Sequence, residues 1–423
     1  MVQRRYVGLT AAVAALGMTV TLAGCGVGTG SGDVTLKVVA ANYDPNEGPS
    51  TKEYWDKLSA AFEAANPGIK VDVTVYSWTV VDAKVAAMVK AGNAPDIAQI
   101  GAYSDYAAQG KLYSADDLLS VPVQANFLSN LSDAGEQSRT QYGMPFVAST
   151  RLLFYNKKLF TDAGISKAPK TWDELRTDAG MLKQKGVTYP YALPLGAEEA
   201  QAETMQWLLS GGDGYTDSVG TYTIDSSPNI KTFSWLKDNL VGAGLTGPVA
   251  PGKLNRKAAY KAFIDGQVGM LNGHPTLVKQ AEAKGIKVGM VPMPGSTGPT
   301  KATMGVADWI MGFKQNGHRA EIGKFLDDVF SDKNVLGFAG QYDLLPATVS
   351  ASDAMATDPE HKDLKSFLNA LATSQLPPVD KTSWPTVSDA IKKNIGKAVE
   401  PGKQPATILS QLQTTATAAQ NAE

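Results

Sequence analysis

The chain has 423 residues and one cysteine, and 39 Lys plus Arg oppose 41 Asp plus Glu for a formal charge of −2. One cysteine excludes a disulfide framework and a Cys-ligated zinc fold, and the near-even charge excludes a strongly basic nucleic-acid binder. His274, His318 and His361 are too scattered for a helical i, i+4 metal pair, while 43% hydrophobic and 19% charged residues describe a globular chain sized for two or three compact units.

Arg4 and Arg5 precede an uncharged Ala- and Val-rich stretch, Val7 to Leu22, that ends in small residues, the pattern of a secretory leader over residues 1–24. Cys25 follows Leu22-Ala23-Gly24 directly. This string resembles a bacterial lipobox, so Cys25 is expected to be the lipidated residue of the mature protein. Residues 25–33 carry Gly, Ser and Thr in a composition that stays flexible, a tether between anchor and body. Without the leader the chain holds 37 bases and 41 acids, which gives little attraction to nucleic acid or anionic lipid. No later segment approaches the roughly 20 apolar residues of a membrane span. The body is therefore expected on the extracytoplasmic face, where no ATP is supplied.

Val34 to Ala40 reads as a strand, and Ser50-Thr51-Lys52-Glu53 has capping-box spacing ahead of the helical set Tyr54, Leu58, Phe62. Asn66-Pro67-Gly68 stops that helix. Ile69 to Tyr76 alternates as a second strand, Val80 to Lys90 reads as a helix, and Asp96 to Ile100 as a short buried strand. Such a β-α-β-α-β series implies an α/β fold with a parallel sheet covered on both faces, whose ligands bind beyond the carboxyl ends of the strands. Those ends are Asn42-Tyr43-Asp44, Ser77-Trp78 and Ala102-Tyr103-Ser104. Further along, Thr171-Trp172-Asp173-Glu174 is a second capping box and Ile322 to Phe330 has a helical apolar period. The motif scan gives near misses. Gly247 to Lys253 has phosphate-loop spacing, but Leu254 replaces the magnesium-binding hydroxyl and two prolines remove amide donors. Asp213-Gly214-Tyr215-Thr216-Asp217 lacks the glycine and distal glutamate of a calcium loop and reads as a turn.

The strings FEAANPGIKVDV and KVAAMVKAGNAPDIAQIG resemble the N-terminal signature of the family 1 extracellular solute-binding proteins, the carbohydrate receptors of bacterial ATP-binding-cassette importers. YGMPFVASTRLLFYNKKLFTDAGI with KTWDEL is similar to the family's first crossover, AFIDGQVGMLNGHP to its second and Asp308 to Lys314 to its third, with QYDLLPAT and SWPTV continuing the C-terminal lobe. The resemblance covers essentially the whole mature chain. It implies a two-lobed periplasmic-binding-protein fold, each lobe a sheet flanked by helices, with three interlobe crossovers and a cleft that closes on ligand. Residues 34–145 and 272–306 are expected to form the first lobe, and 146–271 and 307–423 the second. A monomer delivering its solute to membrane permease subunits is implied, with no cofactor, metal or catalysis. His274 departs from the tryptophan common at its place in the family, which leaves the identity of the sugar open.

A sugar presents C–H faces to aromatic rings and a fringe of hydroxyls to polar groups. Of seven tryptophans, Trp55, Trp172 and Trp235 sit in helical patterns and read as packing residues. Trp78, Trp309 and Trp384 are the platform candidates, with Trp207, Tyr43, Tyr103 and Tyr342 behind them. Asp308, beside Trp309, is the first candidate for hydroxyl acceptance, since a carboxylate can take two vicinal hydroxyls. Arg151 lies in an apolar run and needs an acid or a ligand. Asn42, Asn272, His274 and Asp343 complete the set. A polyol or sugar phosphate is an alternative ligand. A lipid-anchored glycosidase is the competing class, and it would need a catalytic carboxylate pair.

Overall fold

The computed structural model describes residues 33–44, 46, 48–300 and 302–423, so Cys25, the leader and the tether up to residue 32 lie outside the described part. Strands β1 (Val34–Asn42), β2 (Ile69–Ser77) and β3 (Ile97–Ile100) pair in parallel with β1 in the middle. The helix Ser50–Ala65 buries Trp55, Leu58 and Phe62 on one face, and the helix Val81–Lys90 buries Val81, Val85 and Val89. These spacings of three and four residues make each helix a lid for the sheet, as the alternation of the sequence predicts. Gly68 takes φ +93°, a left-handed turn open to glycine, where the first helix ends. The expected capping box at Ser50 does not form. The helix begins at Ser50 after Pro49, with no side-chain cap; the Ser50 hydroxyl pairs instead with the Tyr342 hydroxyl at 3.1 Å, and Thr51 beside it is turned inward and fully buried. Its hydroxyl accepts from the Tyr43 amide at 2.9 Å and donates to the Tyr342 hydroxyl at 3.1 Å. The second capping box does form: Thr171 and Glu174 exchange hydrogen bonds at the start of Trp172–Gln184.

After a two-stranded hairpin, β4 (Glu136–Gln137) and β5 (Thr140–Gln141), the chain enters β6 (Met144–Thr150) and β7 (Leu152–Asn156), then β8 (Tyr189–Tyr191), β9 (Val268–Gly273), β10 (Val288–Val291), β11 (Gly305–Gly312) and β12 (Leu345–Pro346). Two mixed sheets result. The larger runs β12-β6-β11-β3-β1-β2 and the smaller β10-β7-β9-β8. β11 is inserted between β6 and β3, antiparallel to both.

This pairing redraws the expected division of the chain. β9 and β10 flank β7 in the smaller sheet, so most of 272–306 does not return to the first lobe. β11 and β12 belong to the larger sheet, so 307–423 is not wholly second-lobe. A buried apolar run such as that of β9, with all six residues covered, packs equally well in either sheet; its hydrogen-bonded partner decides, and that partner is remote in sequence. The chain passes between sheets at Arg151, at residues 292–304 and, after the larger lobe's helices, at residues 372–383, from which the helices Trp384–Asn394 and Pro405–Gln420 pack on the smaller lobe. The string around Asn272 is therefore not a crossover, and Asp308 to Lys314 follows one.

The three passages are tied together. The Thr303 hydroxyl donates to the Arg151 carbonyl at 2.6 Å, and the Gln375 and Gly305 amides donate to the Thr303 and Gln375 carbonyls, both at 2.9 Å. One apolar cluster packs the larger sheet around Trp55, Phe146 and Phe338, another the smaller lobe around Trp207 and Phe233, and a third is continuous between the lobes. No helix among the described residues is long and apolar enough to cross a membrane.

Candidate functional site

A cleft of about 640 Å³ lies between the lobes. From the larger lobe it is lined by Trp78, Asp82, Ala102 and Asp308; from the smaller by Glu198, Glu199, Gln201, Arg256 and Trp384; and from the passages between them by Met304, Leu376 and Pro377. Trp78 and Ala102 follow the carboxyl ends of β2 and β3, the position where an α/β sheet presents its loops to ligand. Gly101 stands beside Trp78 and Asp82, and a Cβ there would be in ordinary contact with the Trp78 ring at 3.7 Å and the Asp82 carboxylate at 3.5 Å.

Asp308 is held from behind. The Ala41 amide donates to Gln99 Oε1 (3.1 Å), Gln99 Nε2 to the Tyr43 hydroxyl (2.8 Å), and that hydroxyl to Asp308 Oδ2 (2.8 Å). Burial pushes the Asp308 carboxyl up to about 7, and the charge of Asp82 adds to the rise. Burial likewise raises Asp82. The Tyr43 ring meets Trp78 edge-on at 5.4 Å and Phe338 at 5.0 Å, so Tyr43 braces both Trp78 and Asp308.

Strand geometry separates Asp308 from its neighbour. Successive residues of a strand point to opposite faces, and Trp309 is 0% exposed, packed 5.1 Å from Tyr103. A bulge in the pairing with β6 falls between the two residues. Trp309 is thus a core residue rather than a cleft platform. Tyr103 is also fully buried, and its hydroxyl donates to the Ala134 carbonyl at 2.6 Å. Trp207, on the helix Ala200–Gly211, is fully buried between Trp172 and Trp235, its Nε1 donating to Glu203 at 2.9 Å. Tyr342 is 9% exposed and shares its hydroxyl with Ser50, Thr51 and Gln341. Asp343, at φ +52°, pairs with Lys279. Asn42 closes its own loop through the Gly48 carbonyl and the Asp44 amide. Trp384 opens the helix Trp384–Asn394 and packs 5.3 Å from Tyr215.

Arg151 finds its acid: Glu199 lies 2.5 Å away. Arg256 pairs with Glu198 at 3.0 Å and with Glu199, lies 5.2 Å over the Tyr260 ring, and donates to His274 Nε2 at 3.1 Å. Burial and then the charges of Arg151 and Arg256 hold His274 well below its usual pKa, so it accepts as a neutral ring. Behind this cluster Glu203 Oε1 accepts from Trp207, from Asn272 at 2.9 Å and from the Tyr191 hydroxyl at 3.3 Å. Burial raises its carboxyl to about 7. Asp82, Glu198, Glu199, Gln201 and Arg256 were not anticipated as site residues; the AEEAQAE run beginning at Ala197 was the one local signal, and nothing around Arg256 distinguishes it from a surface arginine.

Elsewhere Asp213 accepts from the Gly214 amide and the Ser226 hydroxyl, so its loop is internally bonded. Gly247 stands at φ +83° with the Tyr189 ring where a Cβ would be, a packing glycine rather than a phosphate-binding one.

A family model described as bacterial extracellular solute-binding protein matches residues 48–335. A binding protein of Brucella abortus (strain 2308) is 28% identical over 381 residues, covering 88% of this chain and 90% of its own. The sn-glycerol-3-phosphate-binding periplasmic protein of Escherichia coli (strain K12) is 25% identical over 340 residues, 73% of this chain and 74% of its own. In three dimensions the cyclic alpha-maltosyl-1,6-maltose binding protein of Arthrobacter globiformis superposes with a TM-score of 0.78 at 19% identity, over 93% of this chain and 100% of its own. That likeness establishes the two-lobed fold.

Proposed function

Because the chain belongs to the bacterial extracellular solute-binding protein family, we propose that it captures a carbohydrate between its lobes and delivers it to the permease of an ATP-binding-cassette importer. The observation that carries this reading is the interlobe cleft, where Trp78 and Trp384 stand beside the carboxylates Asp82 and Asp308. Apolar rings flanked by acceptors match the two faces of a pyranose. The reading makes the protein a receptor that returns its ligand unchanged, a monomer, held on the extracytoplasmic face by a lipid on Cys25. A polyol or sugar phosphate is the second reading, favoured by the relative that takes sn-glycerol 3-phosphate.

A thermal-shift screen of the mature protein against sugars, polyols and their phosphates tests the proposal. A cognate ligand at a hundredfold excess over its Kd adds about 2.7 kcal/mol of stability, a clear rise in Tm. Chromatography of the recovered ligand should show it intact. Hydrolysis that follows the protein through purification would replace the receptor with a glycosidase.

A further inference from the structure

The charges around the cleft are unequally matched. On the smaller-lobe side the arginines are already paired, Arg151 with Glu199 and Arg256 with Glu198 and Glu199. On the larger-lobe side Asp82 and Asp308 have no Lys, Arg or His partner among the described residues. Two carboxylates line one cleft wall beside Trp78 and lack a cation, and the charge of Asp82 acts on Asp308.

The hydrogen-bond polarity points the same way. Every donor in the series Ala41, Gln99, Tyr43 is directed toward Asp308, so this carboxylate ends the series as an acceptor and, when ionised, receives from whatever enters the cleft. The Asp82 carboxylate meets the Gly101 and Ala102 amides, but its Oδ1 is buried without a hydrogen-bond partner, an acceptor position that a donor from outside can fill. Lys392 also lines the cleft and is in no ion pair among the described residues, but it stands on the helix that contributes Trp384, on the smaller lobe, with the Asp389 of that helix paired to Lys393.

We propose that the cleft sorts solutes by charge, accepting an amine-bearing saccharide whose ammonium is seated against Asp82 and Asp308 and refusing phosphorylated or carboxylated saccharides. The inference rests on the receptor reading and narrows it. An ammonium supplies three donors and the missing positive charge, and charge-assisted hydrogen bonds are roughly twice as strong as neutral ones. A phosphate would bring close to two negative charges to a wall that already holds two carboxylates, and the charge of each arginine is already matched by a glutamate. The E. coli relative, named for binding sn-glycerol 3-phosphate, then differs from this chain in the charge of its ligand.

Calorimetric titration of the mature protein with matched sets tests this: glucose, galactose, mannose and the β-1,4-linked glucose disaccharide, each as parent, free amine, 6-phosphate and uronate. The expected result is binding by one set or more in which the amine is at least tenfold tighter than the parent, and no detectable phosphate or uronate binding. Asp308→Asn and Asp82→Asn should each reduce the amine-to-parent affinity ratio toward one, with the melting curve of each variant showing a folded protein. A phosphate or uronate that binds as tightly as its amine overturns the proposal, as does an unchanged ratio in both variants. A parent that binds as well as its amine also overturns it while leaving the receptor reading standing. If no member of any set binds, the carbohydrate-receptor reading fails together with this inference.

Discussion

Glu203 has three donors on one oxygen and little solvent to share them with. Removing it by Glu203→Ala leaves the Trp207, Asn272 and Tyr191 donors buried and unpaired, and the loss should be about 3 kcal/mol in denaturant unfolding. Asp308 makes the opposite contribution. Burial pushes its carboxyl up to about 7 from the ordinary aspartate range of about 4, so the folded state binds more protons than the unfolded one between about pH 4 and pH 7, and stability falls as pH rises through that window. Asp308→Asn keeps an acceptor for Tyr43 and removes the penalty. The ligand-free variant should melt higher than the parent at pH 8, on the order of 2 °C, and the difference should vanish toward pH 4. A constant difference across that range would show that Asp308 does not titrate there. The same residue illustrates what sequence could and could not say: its chemistry is legible from the carboxylate alone, but its pairing with Trp309 as a joint binding unit ignored strand alternation, which sends the ring into the core.

At the scale of elements, the two later passages between the lobes lie side by side, joined through Thr303, Gly305 and Gln375. A Cβ on Gly305 would come within 2.4 Å of the Ser374 hydroxyl, so Gly305→Val must part the two segments or shift Ser374. Overpacking of this kind costs about 2 kcal/mol, and Tm should fall by about 4 °C, whereas Gly298→Ala, with nothing within 4 Å of the added carbon, should leave Tm unchanged. Equal melting of both variants would mean that the passages are not coupled as drawn. The local β-α-β-α-β units were legible because periodicity and turn residues act over a few neighbours. Sheet membership was not, because β9 carries no mark of its partner β7, more than a hundred residues earlier. The resemblance supplied the number of crossovers, yet it placed one on β9, inside the smaller sheet, and another on β11, directly after an actual passage.

For the molecule as a whole, a ligand bridging Trp78 and Asp308 on one side to Trp384 on the other favours whichever arrangement brings the lobes together. Small-angle scattering should therefore record a smaller radius of gyration at saturation, and an unchanged radius in a protein shown to be open without ligand would remove the hinge from the account. Cys25→Ala should release the receptor into the soluble fraction with affinity intact, and its retention in membranes would remove the lipid anchor. The place of β11 has a further consequence. This strand, Gly305–Gly312, fills the gap between β6 and β3, so the N-terminal half of the chain cannot complete its own sheet until more than three hundred residues have been synthesised. Pairings so distant in sequence carry a high contact order and form slowly. The larger sheet is therefore finished from its far end, and in refolding from denaturant the pairing of β11 with β6 and β3 should be the slow step of that lobe.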